Sequence, residues 1–507
     1  MSNESLPIFE YFCIPIHYSQ MHFTMKSTFT KAILLAVFLT VSTSNLLAQF
    51  NISGEFKTRG EYRDGYGALR DSSKIPYADI LGRARLVFDF KTDKITTRFS
   101  LYDAIVFGQN YYGSDTITKN TVNIYEVWFQ YNFTKAFGLK VGRMEVVFDD
   151  ERIFGSSNWS MWGATHDIII AQYEQKSKGY WGNFGFAVNN IAPATSPYMN
   201  SYIMRNNYKY LGFFYGNFKL FDNKLTITYT EVIDAFQKNN LTTTSSKTKY
   251  DTLFIRNEND SIIGTTILPN TTKTTTIEEF PNTLYARSTL GASIALNLKK
   301  WSFFLNGFYQ FGKIRDARNL SSYFYTFWVA YQPVKQFRLQ AGWEQLSGNN
   351  YSDTNMMKSK VKGFSILYGT THKGYGYMDL FTSLVRDNLS PGLNDLYARG
   401  TVNFNDKMSL EATYRWFSIP YGYLSVNQAK PGQLPYTSVG TSLGSEVDLM
   451  YVYKPIPNLE LNAAYCFFLP TATMETMNKV AVGKSKFAQY AYIMITYKPN
   501  FFSTEKK

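Results

Sequence analysis

The strongest constraint on the fold is a two-residue alternation that recurs along the chain. In the stretch ILGRARLVFDF, residues 80–90, one set of alternate positions is apolar or small, as at Leu86 and Phe88, and the other carries Arg83 and Arg85. Side chains alternate across a β-strand, so this stretch predicts a strand with one apolar and one charged face. A half-buried strand of a soluble sandwich gives the same pattern, and the stretch alone leaves open whether the apolar face meets protein or lipid.

The rest of the chain favours lipid, because the same simple alternation repeats many times and its connections alternate in length. Similar stretches occur at 125–133, 287–298, 337–344, 396–404, 408–416, 446–453 and 459–467. Short turns are expected near 91–93, 221–223, 299–300, 333–335, 404–406 and 454–457, and long loops at 65–79, 148–165, 236–283, 348–373, 419–443 and 469–486. Short turns at one end and long loops at the other are typical of an outer-membrane barrel.

We therefore predict an all-β fold, a transmembrane antiparallel β-barrel. A closed barrel is the β architecture that satisfies every backbone group in lipid. About nineteen strand candidates are present, and since bacterial barrels normally have an even number, we expect about 18 strands, within 16–20. The rhythm of short and long connections breaks across 348–373, so either a strand is hidden there, with VKGFSILYG as the candidate, or one strand has been split elsewhere.

Composition narrows the class of protein and its partners. A mean hydropathy of -0.24 excludes a bundle of membrane helices, and the 39 Tyr and 41 Phe suit a protein with many side chains at a lipid–water boundary. The net charge of +13 favours contact with anionic lipopolysaccharide or an anionic solute, and nucleic acid is not expected as a partner of an exported chain.

The N-terminal region has the features of a secretory signal. A positive segment with Lys26 and Lys31 precedes an apolar stretch too short to span a bilayer, and a small residue, Ala48, marks the expected cleavage site. We therefore divide the chain into residues 1–48, an upstream extension plus signal peptide starting at Met25, and residues 49–507, the barrel; a membrane anchor is the alternative. These features predict the outer membrane of a Gram-negative bacterium.

Two further segments carry predictions of their own. Residues 236–283 are rich in Thr, Asn, Ser and Lys and predict one long polar extracellular loop, with an inserted domain as the alternative. The last strand candidate ends in Phe501 and Phe502, and a terminal aromatic residue predicts recognition by the barrel-assembly machinery. Cys466 is the one cysteine of the mature chain, so no internal disulfide is expected.

Residues 141–167, VGRMEVVFDDERIFGSSNWSMWGATHD, resemble a hallmark segment of the alginate-export family of outer-membrane porins. The matching positions are Gly142, Arg143, Glu145, Asp150, Arg152, Gly155, Trp159 and Asp167. Residues 367–381 and 392–397 resemble later blocks of the same family. Met144 departs from the pattern, which more often has Gln after Gly-Arg.

The resemblance implies an 18-stranded barrel whose constricted, electropositive pore is lined by arginines and lets an anionic polysaccharide out, alginate in the best-known case. A loop folded into the lumen at 141–167 would narrow the pore, with Arg143 and Arg152 offering donors to carboxylates; alternatively, the charged residues of this segment pair with one another to hold the loop. In that loop, Gly142, Glu145, Asp150, Gly155, Trp159 and Asp167 would be structural.

The alternation places seven more arginines on predicted lumenal faces, where they could attract anions or brace the wall: Arg83, Arg85, Arg98, Arg287, Arg338, Arg399 and Arg415. Acidic residues share those faces and put alginate itself in doubt: Glu126, Glu344, Glu411, Glu446 and Asp448. We expect a porin-like channel for passive passage of an anionic saccharide or a small anionic solute, in contact with outer-membrane lipid and lipopolysaccharide.

Enzymatic function is not expected. The mature chain holds two histidines, His166 and His372, and no serine lies in a nucleophile motif such as G-x-S-x-G. No catalytic residue, metal ligand or cofactor is therefore predicted. Two alternatives stay open: an outer-membrane hydrolase that uses His166 with Asp167, and a plugged structural or adhesive barrel without transport.

Overall fold

The structure, a computed structural model, describes residues 48–108, 122–189, 208–237, 241–256, 262–278, 283–350, 360–372, 374–426 and 436–505. The predicted start at Met25 and most of the predicted signal segment lie outside the described residues. Residues 48–507 form a separate compact unit. Within the described ranges, no helix combines the length and apolar character needed to cross a bilayer.

Eighteen strands form the wall. They are β1 Gln49–Asp64, β2 Tyr77–Lys91, β3 Ile95–Val106, β4 Asn123–Asn132, β5 Phe137–Met144, β6 His166–Gln175, β7 Tyr180–Val188, β8 Tyr210–Leu220, β9 Leu225–Gln237, β10 Leu284–Asn297, β11 Trp301–Lys313, β12 Asn319–Val334, β13 Phe337–Leu346, β14 Leu393–Asn405, β15 Met408–Ser418, β16 Ser442–Tyr453, β17 Leu459–Pro470 and β18 Ala488–Tyr497.

The sheet closes on itself, which confirms the predicted 18-stranded antiparallel barrel. Each strand pairs with the next along the chain, and β1 pairs antiparallel with β18, Phe56 lying opposite Tyr497. The short strand Asn500–Ser503 extends that closing seam along the start of β1. Closure leaves no unpaired edge to be exposed to hydrocarbon.

The outer face of the wall is apolar and the lumenal face is polar, the reverse of the arrangement in a soluble protein. On β14 and β15, Leu396 and Tyr414 are 52% and 51% exposed on the outer face, whereas Asp395 and Arg415 are 1% and 2% exposed on the lumenal face. The apolar faces point away from the protein interior, so they face lipid.

Connection lengths also follow the prediction. At one end of the barrel consecutive strands are joined by a few residues, as at 92–94 and 335–336, and at the other end by long segments such as 145–165. Short turns are periplasmic and long loops extracellular in barrels of this kind, so the strand ends can be assigned to the two sides of the membrane.

Two predictions about long connections need revision. Residues 347–392 are a single connection between β13 and β14. Of the hidden-strand candidate, Val361 pairs within the short strand Lys360–Val361 beside β12, and Tyr368 forms one isolated bridge with Phe154. The hidden-strand candidate, residues 361–369, is not a strand of the wall, because it enters the lumen. Within 236–283 the backbone forms an antiparallel hairpin, Leu241–Arg256 with Ile262–Glu278, so this connection contains regular structure.

The helices found in the described ranges are short. They are the 3-10 turn Lys176–Lys178, α1 Thr382–Arg386 and α2 Ala472–Met477. A second small hairpin joins Tyr423–Val426 to Tyr436–Val439.

Candidate functional site

The connection between β5 and β6, residues 145–165, lies inside the barrel. Phe148 stacks on Tyr215 of β8, with ring centroids 4.1 Å apart. Asp149 accepts hydrogen bonds from the Tyr215 hydroxyl at 2.7 Å and from the Thr228 hydroxyl at 2.8 Å. Tyr215 and Thr228 are both buried on the lumenal face, so this loop is held against the inside of the wall.

The described parts of a second connection, the one between β13 and β14, also enter the lumen, and sequence reasoning missed this. The Tyr368 hydroxyl donates to Asp234 of β9 at 2.7 Å, and the backbone N–H of Met378 donates to Glu446 of β16 at 2.9 Å. The side chain of Gln310 on β11 donates to the carbonyl of Ser365 at 2.7 Å. This loop therefore reaches distant parts of the wall, and the one signal for it in the sequence was a run of Gly and aromatic residues without two-residue alternation.

Arg152 joins the first loop to the opposite wall. Its Nη2 donates to Glu344 of β13 at 2.7 Å and to the carbonyl of Gly374 in the second loop at 3.4 Å. Asp150 lies 3.8 Å from the Arg152 guanidinium and accepts from Asn306 of β11 at 3.2 Å. Burial raises the pKa of Asp150 to about 6, although Arg152 opposes that shift.

The other residues of the hallmark segment have structural contacts. Gly142 has φ 134° and an added Cβ would lie 2.2 Å from the carbonyl of Val127, so a side chain does not fit there. Glu145 accepts from the hydroxyl of Tyr125 and from Asn158. An added Cβ on Gly155 would lie 2.4 Å from the Thr370 hydroxyl, which shows how closely the two loops approach.

The ring of Trp159 packs against one guanidinium and one imidazole. The Arg59 guanidinium is 3.9 Å from its ring centroid, and the ring of His372 stacks at 3.8 Å with an interplanar angle of 6°. The carbonyl of Trp159 accepts a hydrogen bond from Arg59 at 2.7 Å. Trp159 therefore links the first loop, the second loop and β1.

Arg143 and Asp167 are placed differently from the prediction. Arg143 lies opposite Val127, whose side chain is 44% exposed on the outer face, and it pairs with Asp167 at 2.7 Å. Their side chains remain 43% and 54% exposed. Both residues lie on the outer face of the barrel, so the predicted lumenal position of Arg143 and the predicted loop role of Asp167 are wrong. The register of β5 explains this, because Lys140, Gly142 and Met144 take the inward positions.

The predicted arginines of β2 and β3 do face the lumen. Arg83 binds Glu55 of β1 through Nε and Nη2, at 2.8 and 2.5 Å, and Arg98 binds Asp89 at 2.8 Å. Arg85 lies 3.7 Å above the Tyr125 ring, and its Nε and Nη2 have no hydrogen-bond partner in the described part of the chain.

The remaining predicted arginines are also lumenal. Arg287 of β10 makes a two-pronged ion pair with Asp234, and Arg415 of β15 pairs with Asp395. Arg399 pairs with Glu411 at 3.3 Å. Arg338 packs near the Trp328 ring at 5.8 Å. Most lumenal arginines thus have a carboxylate partner, which is the wall-bracing arrangement, and the lumen is mixed in charge.

Sequence reasoning missed several cations of the interior. On β1 the inward positions hold Glu55, Lys57, Arg59 and Glu61, all buried. Their alternation is visible in FKTRGEYRD, but Thr58 and Gly60 weaken the apolar face that would have drawn attention to it. The others are Arg63 of β1, Lys140 of β5, Arg315 after β11 and Arg386 of α1.

Two cavities open in the outer half of the lumen, and arginines line both. The first, about 340 Å³, is lined among others by Arg59, Arg63, Trp159 and Arg386. The second, about 480 Å³, is lined among others by Arg287, Arg315 and Arg386. Arg386 borders both cavities, and its Nη2 donates to the carbonyl of Gly369 at 2.9 Å.

The contacts of the histidines bear on the hydrolase alternative. His166 points inward, where its Nδ1 lies 2.9 Å from the Tyr208 hydroxyl, while Asp167 points outward. Consecutive residues of a strand face opposite sides, so Asp167 cannot orient the His166 imidazole. His372 lies 2.9 Å from Asp379 and under Trp159. In the described part of the chain, no group of three or more His, Cys, Asp or Glu side chains is arranged to hold a metal ion.

Comparison with solved structures identifies similar barrels. The chain superposes on the outer-membrane protein OprD of Pseudomonas aeruginosa with a TM-score of 0.52 at 11% identity, covering 89% of this chain and 94% of that chain. It superposes on OccAB4 of Acinetobacter baumannii with a TM-score of 0.52 at 8% identity, covering 90% and 99%. OccK9 (OpdG) of Pseudomonas aeruginosa gives 0.52 at 9% identity, covering 89% and 98%. At these identities the likeness concerns the fold.

No curated protein matches the sequence. A family model described as alginate export matches residues 48–486, nearly the whole barrel. The closed barrel, its outward apolar surface and this match together place the protein in the outer membrane of a Gram-negative bacterium as a channel of the porin type. The chain therefore belongs to the alginate export family.

Proposed function

We propose that this barrel lets an anionic saccharide or a small anionic solute pass down its concentration gradient. The observation that carries the proposal is the pair of cavities in the outer half of the lumen, which five arginines line: Arg59, Arg63, Arg287, Arg315 and Arg386. Each guanidinium has five N–H donors in a planar fork that matches a carboxylate or a phosphate. Membership of the alginate export family supports the same class of solute.

The carboxylates of the lumen limit how strong the anion preference can be. Glu61 lies between Arg59 and Arg63, and Asp234 is fully engaged with Arg287 and the Tyr368 hydroxyl. Paired arginines keep donors that point away from their partners, and a passing carboxylate can use those donors. We therefore expect a modest preference for anions, set mainly by the arginines that line the cavities.

Reversal potential in a planar bilayer under a salt gradient tests this proposal. We expect the wild-type channel to favour chloride over potassium, and the substitution Arg386→Ala to shift the reversal potential towards cation preference. The matched control is Arg143→Ala, because Arg143 pairs with Asp167 on the outer face of the barrel, away from both cavities. A cation-selective wild-type channel, or equal shifts in the two variants, would contradict the proposal.

A plugged barrel is the second candidate, and the two inward loops favour it. They contact β1, β8, β9, β11, β13 and β16, so they occupy much of the interior. Discrete conductance steps from the purified protein support the channel, whereas a silent bilayer that contains folded protein supports the plug.

We also propose that β18 and the Asn500–Ser503 extension are recognised by the barrel-assembly machinery. This segment closes the seam with β1, and Phe501 and Phe502 lie exposed at its end. Replacing both phenylalanines with serine should lower the yield of membrane-inserted barrel in cells while purified protein still refolds in detergent; an unchanged yield would contradict this role.

A further inference from the structure

Nine short segments at the periplasmic end, eight connections between wall strands and the link after β18, share one property that the transport proposal does not use. These are residues 92–94, 133–136, 176–179, 221–224, 298–300, 335–336, 406–407, 454–458 and 498–499. Every one contains at least one lysine, and together they contain eleven lysines and three aspartates. The lysines, here called the lysine rim, are Lys94, Lys135, Lys176, Lys178, Lys224, Lys299, Lys300, Lys335, Lys407, Lys454 and Lys498.

The opposite end of the barrel is much poorer in lysine. The nine connections at that end, 207 residues in all, contain fifteen lysines, whereas the 29 residues of the periplasmic segments contain eleven. Strand-connecting turns have no general need for lysine, since Asn, Gly, Asp and Ser fulfil the backbone requirements of turns. This density of lysine, spread over every short periplasmic segment, therefore points to something negative that surrounds the whole periplasmic end.

Most of the lysine rim is available to a ligand. All eleven side chains are exposed. Lys176, Lys454 and Lys498 lie within 4 Å of Glu174, Glu460 and Glu55, and Lys407 donates to the carbonyl of Pro455. The other seven make no ion pair within the described residues.

The position of the rim relative to the outer surface indicates which anion it meets. Large outward-facing aromatic side chains lie a few residues from the lysines: Phe133 and Phe137 flank Lys135, Trp301 follows Lys300, and Phe337 follows Lys335, with side chains 36–55% exposed. Such aromatic belts mark the boundary between hydrocarbon and headgroups. Flexible lysine stems that begin just beyond this belt place their amines among the phosphates of the neighbouring leaflet.

We infer that the lysine rim binds the headgroups of anionic phospholipids in the periplasmic leaflet of the outer membrane. The ring surrounds the barrel, as lipid does, whereas a protein partner would need a patch on one side only. A soluble polyanion at the channel mouth would meet chiefly the lysines that reach inward, Lys454 and Lys498, which already have carboxylates nearby.

Native mass spectrometry of the protein released from a neutral detergent tests this inference, with phosphatidylglycerol and phosphatidylcholine as competing probes. We expect the wild type to bind phosphatidylglycerol in preference, with a preference that falls as salt rises. We also expect a weaker preference in a variant with Lys→Gln at Lys135, Lys178, Lys224, Lys300 and Lys335. Its preference for phosphatidylglycerol over phosphatidylcholine should fall at least about fivefold, roughly the effect of losing one lysine contact with an anionic headgroup.

The matched control removes the same charge from the other end, with Lys→Gln at Lys74, Lys360, Lys479, Lys484 and Lys486, and should keep the wild-type preference. Equal losses in the two variants, or no loss in either, would overturn the inference. It would also be overturned if a soluble oligouronate displaced the lipid from the wild type through the same lysines. If the five-site variant does not fold, Lys135→Gln with Lys335→Gln and the salt dependence of the wild type still decide the question.

Discussion

Phe154 and Tyr368 join two loops that lie more than two hundred residues apart in the chain. They form a parallel β-bridge inside the lumen, and their rings stack with centroids 5.5 Å apart. The N–H of Gly155 donates to the carbonyl of Tyr368 at 3.2 Å, and the N–H of Tyr368 donates to the carbonyl of Ile153 at 3.1 Å. The two loops therefore form one joined body inside the barrel, and loosening either should affect both.

Arg152→Ala is expected to loosen this body. The substitution leaves Glu344, whose side chain is 2% exposed, as a buried carboxylate without its cationic partner. Breaking a buried ion pair from one side costs about 3 kcal/mol or more, so the thermal unfolding midpoint in detergent should fall and single-channel conductance should rise.

Its control is Arg318→Ala, which breaks an exposed pair with Asp316 and should cost less than about 1 kcal/mol. The double substitution Arg152→Ala with Glu344→Gln should recover part of the lost stability, because the unpaired charge is gone. Equal midpoints for Arg152→Ala and Arg318→Ala would show that the Arg152 pair does not hold the loops.

Gly142→Ala should destabilise the barrel at β5. The backbone at Gly142 has φ 134°, a region that alanine avoids, and the new Cβ would lie 2.2 Å from the carbonyl of Val127. Strain of this kind costs about 1–3 kcal/mol. Gly60→Ala on β1 is the control, since an added Cβ there meets nothing within 4 Å. Unfolding midpoints of the two variants give the comparison, and a Gly60→Ala midpoint as low as that of Gly142→Ala would refute the local explanation.

Local alternation predicts a strand and its faces, and it predicted the wall well, as at Arg83 and Arg98. It does not predict where a connection goes once the strand ends. The loop with Tyr368 enters the lumen because its hydroxyl and backbone meet partners on remote strands, such as Asp234 of β9. Arg143 shows a second limit: the assignment to the lumen came from a family motif, while the two-residue period from Lys140 and Gly142 puts residue 143 on the outer face.

The corrected position of Arg143 gives a prediction for ion selectivity. Arg143→Ala should leave the reversal potential under a salt gradient unchanged, because the side chain and its partner Asp167 lie outside the barrel. Arg98→Ala removes a lumenal cation and leaves Asp89 and Glu126 without it, so the reversal potential should shift towards cation preference. A larger shift for Arg143→Ala than for Arg98→Ala would mean that ions do not pass along the lumenal face of the barrel wall.

Asp150 should make the stability of the barrel depend on pH between about 4 and 6. Burial in the loop, with Glu344 and Asp149 adding to the shift, raises its pKa from 3.8 to about 6, despite the nearby Arg152. A carboxyl with a raised pKa in the folded state binds its proton more tightly when folded, so its cost to stability is absent below pH 4 and grows as the pH rises towards 6. Asp150→Asn removes this cost while keeping the shape of the side chain.

We therefore expect Asp150→Asn to match the wild type near pH 4 and to exceed it at pH 7.5. Two pKa units correspond to nearly 3 kcal/mol, and because 27% of the Asp150 side chain remains exposed, the difference should be smaller, roughly 1–2 kcal/mol. Thermal unfolding in detergent at pH 4.5 and 7.5 measures it, with Asp316→Asn as a control on an exposed turn. A difference between Asp150→Asn and wild type that stays constant across this range would mean that Asp150 keeps an ordinary pKa, and that the loop with Arg152 and Glu344 is more open to water than its contacts indicate.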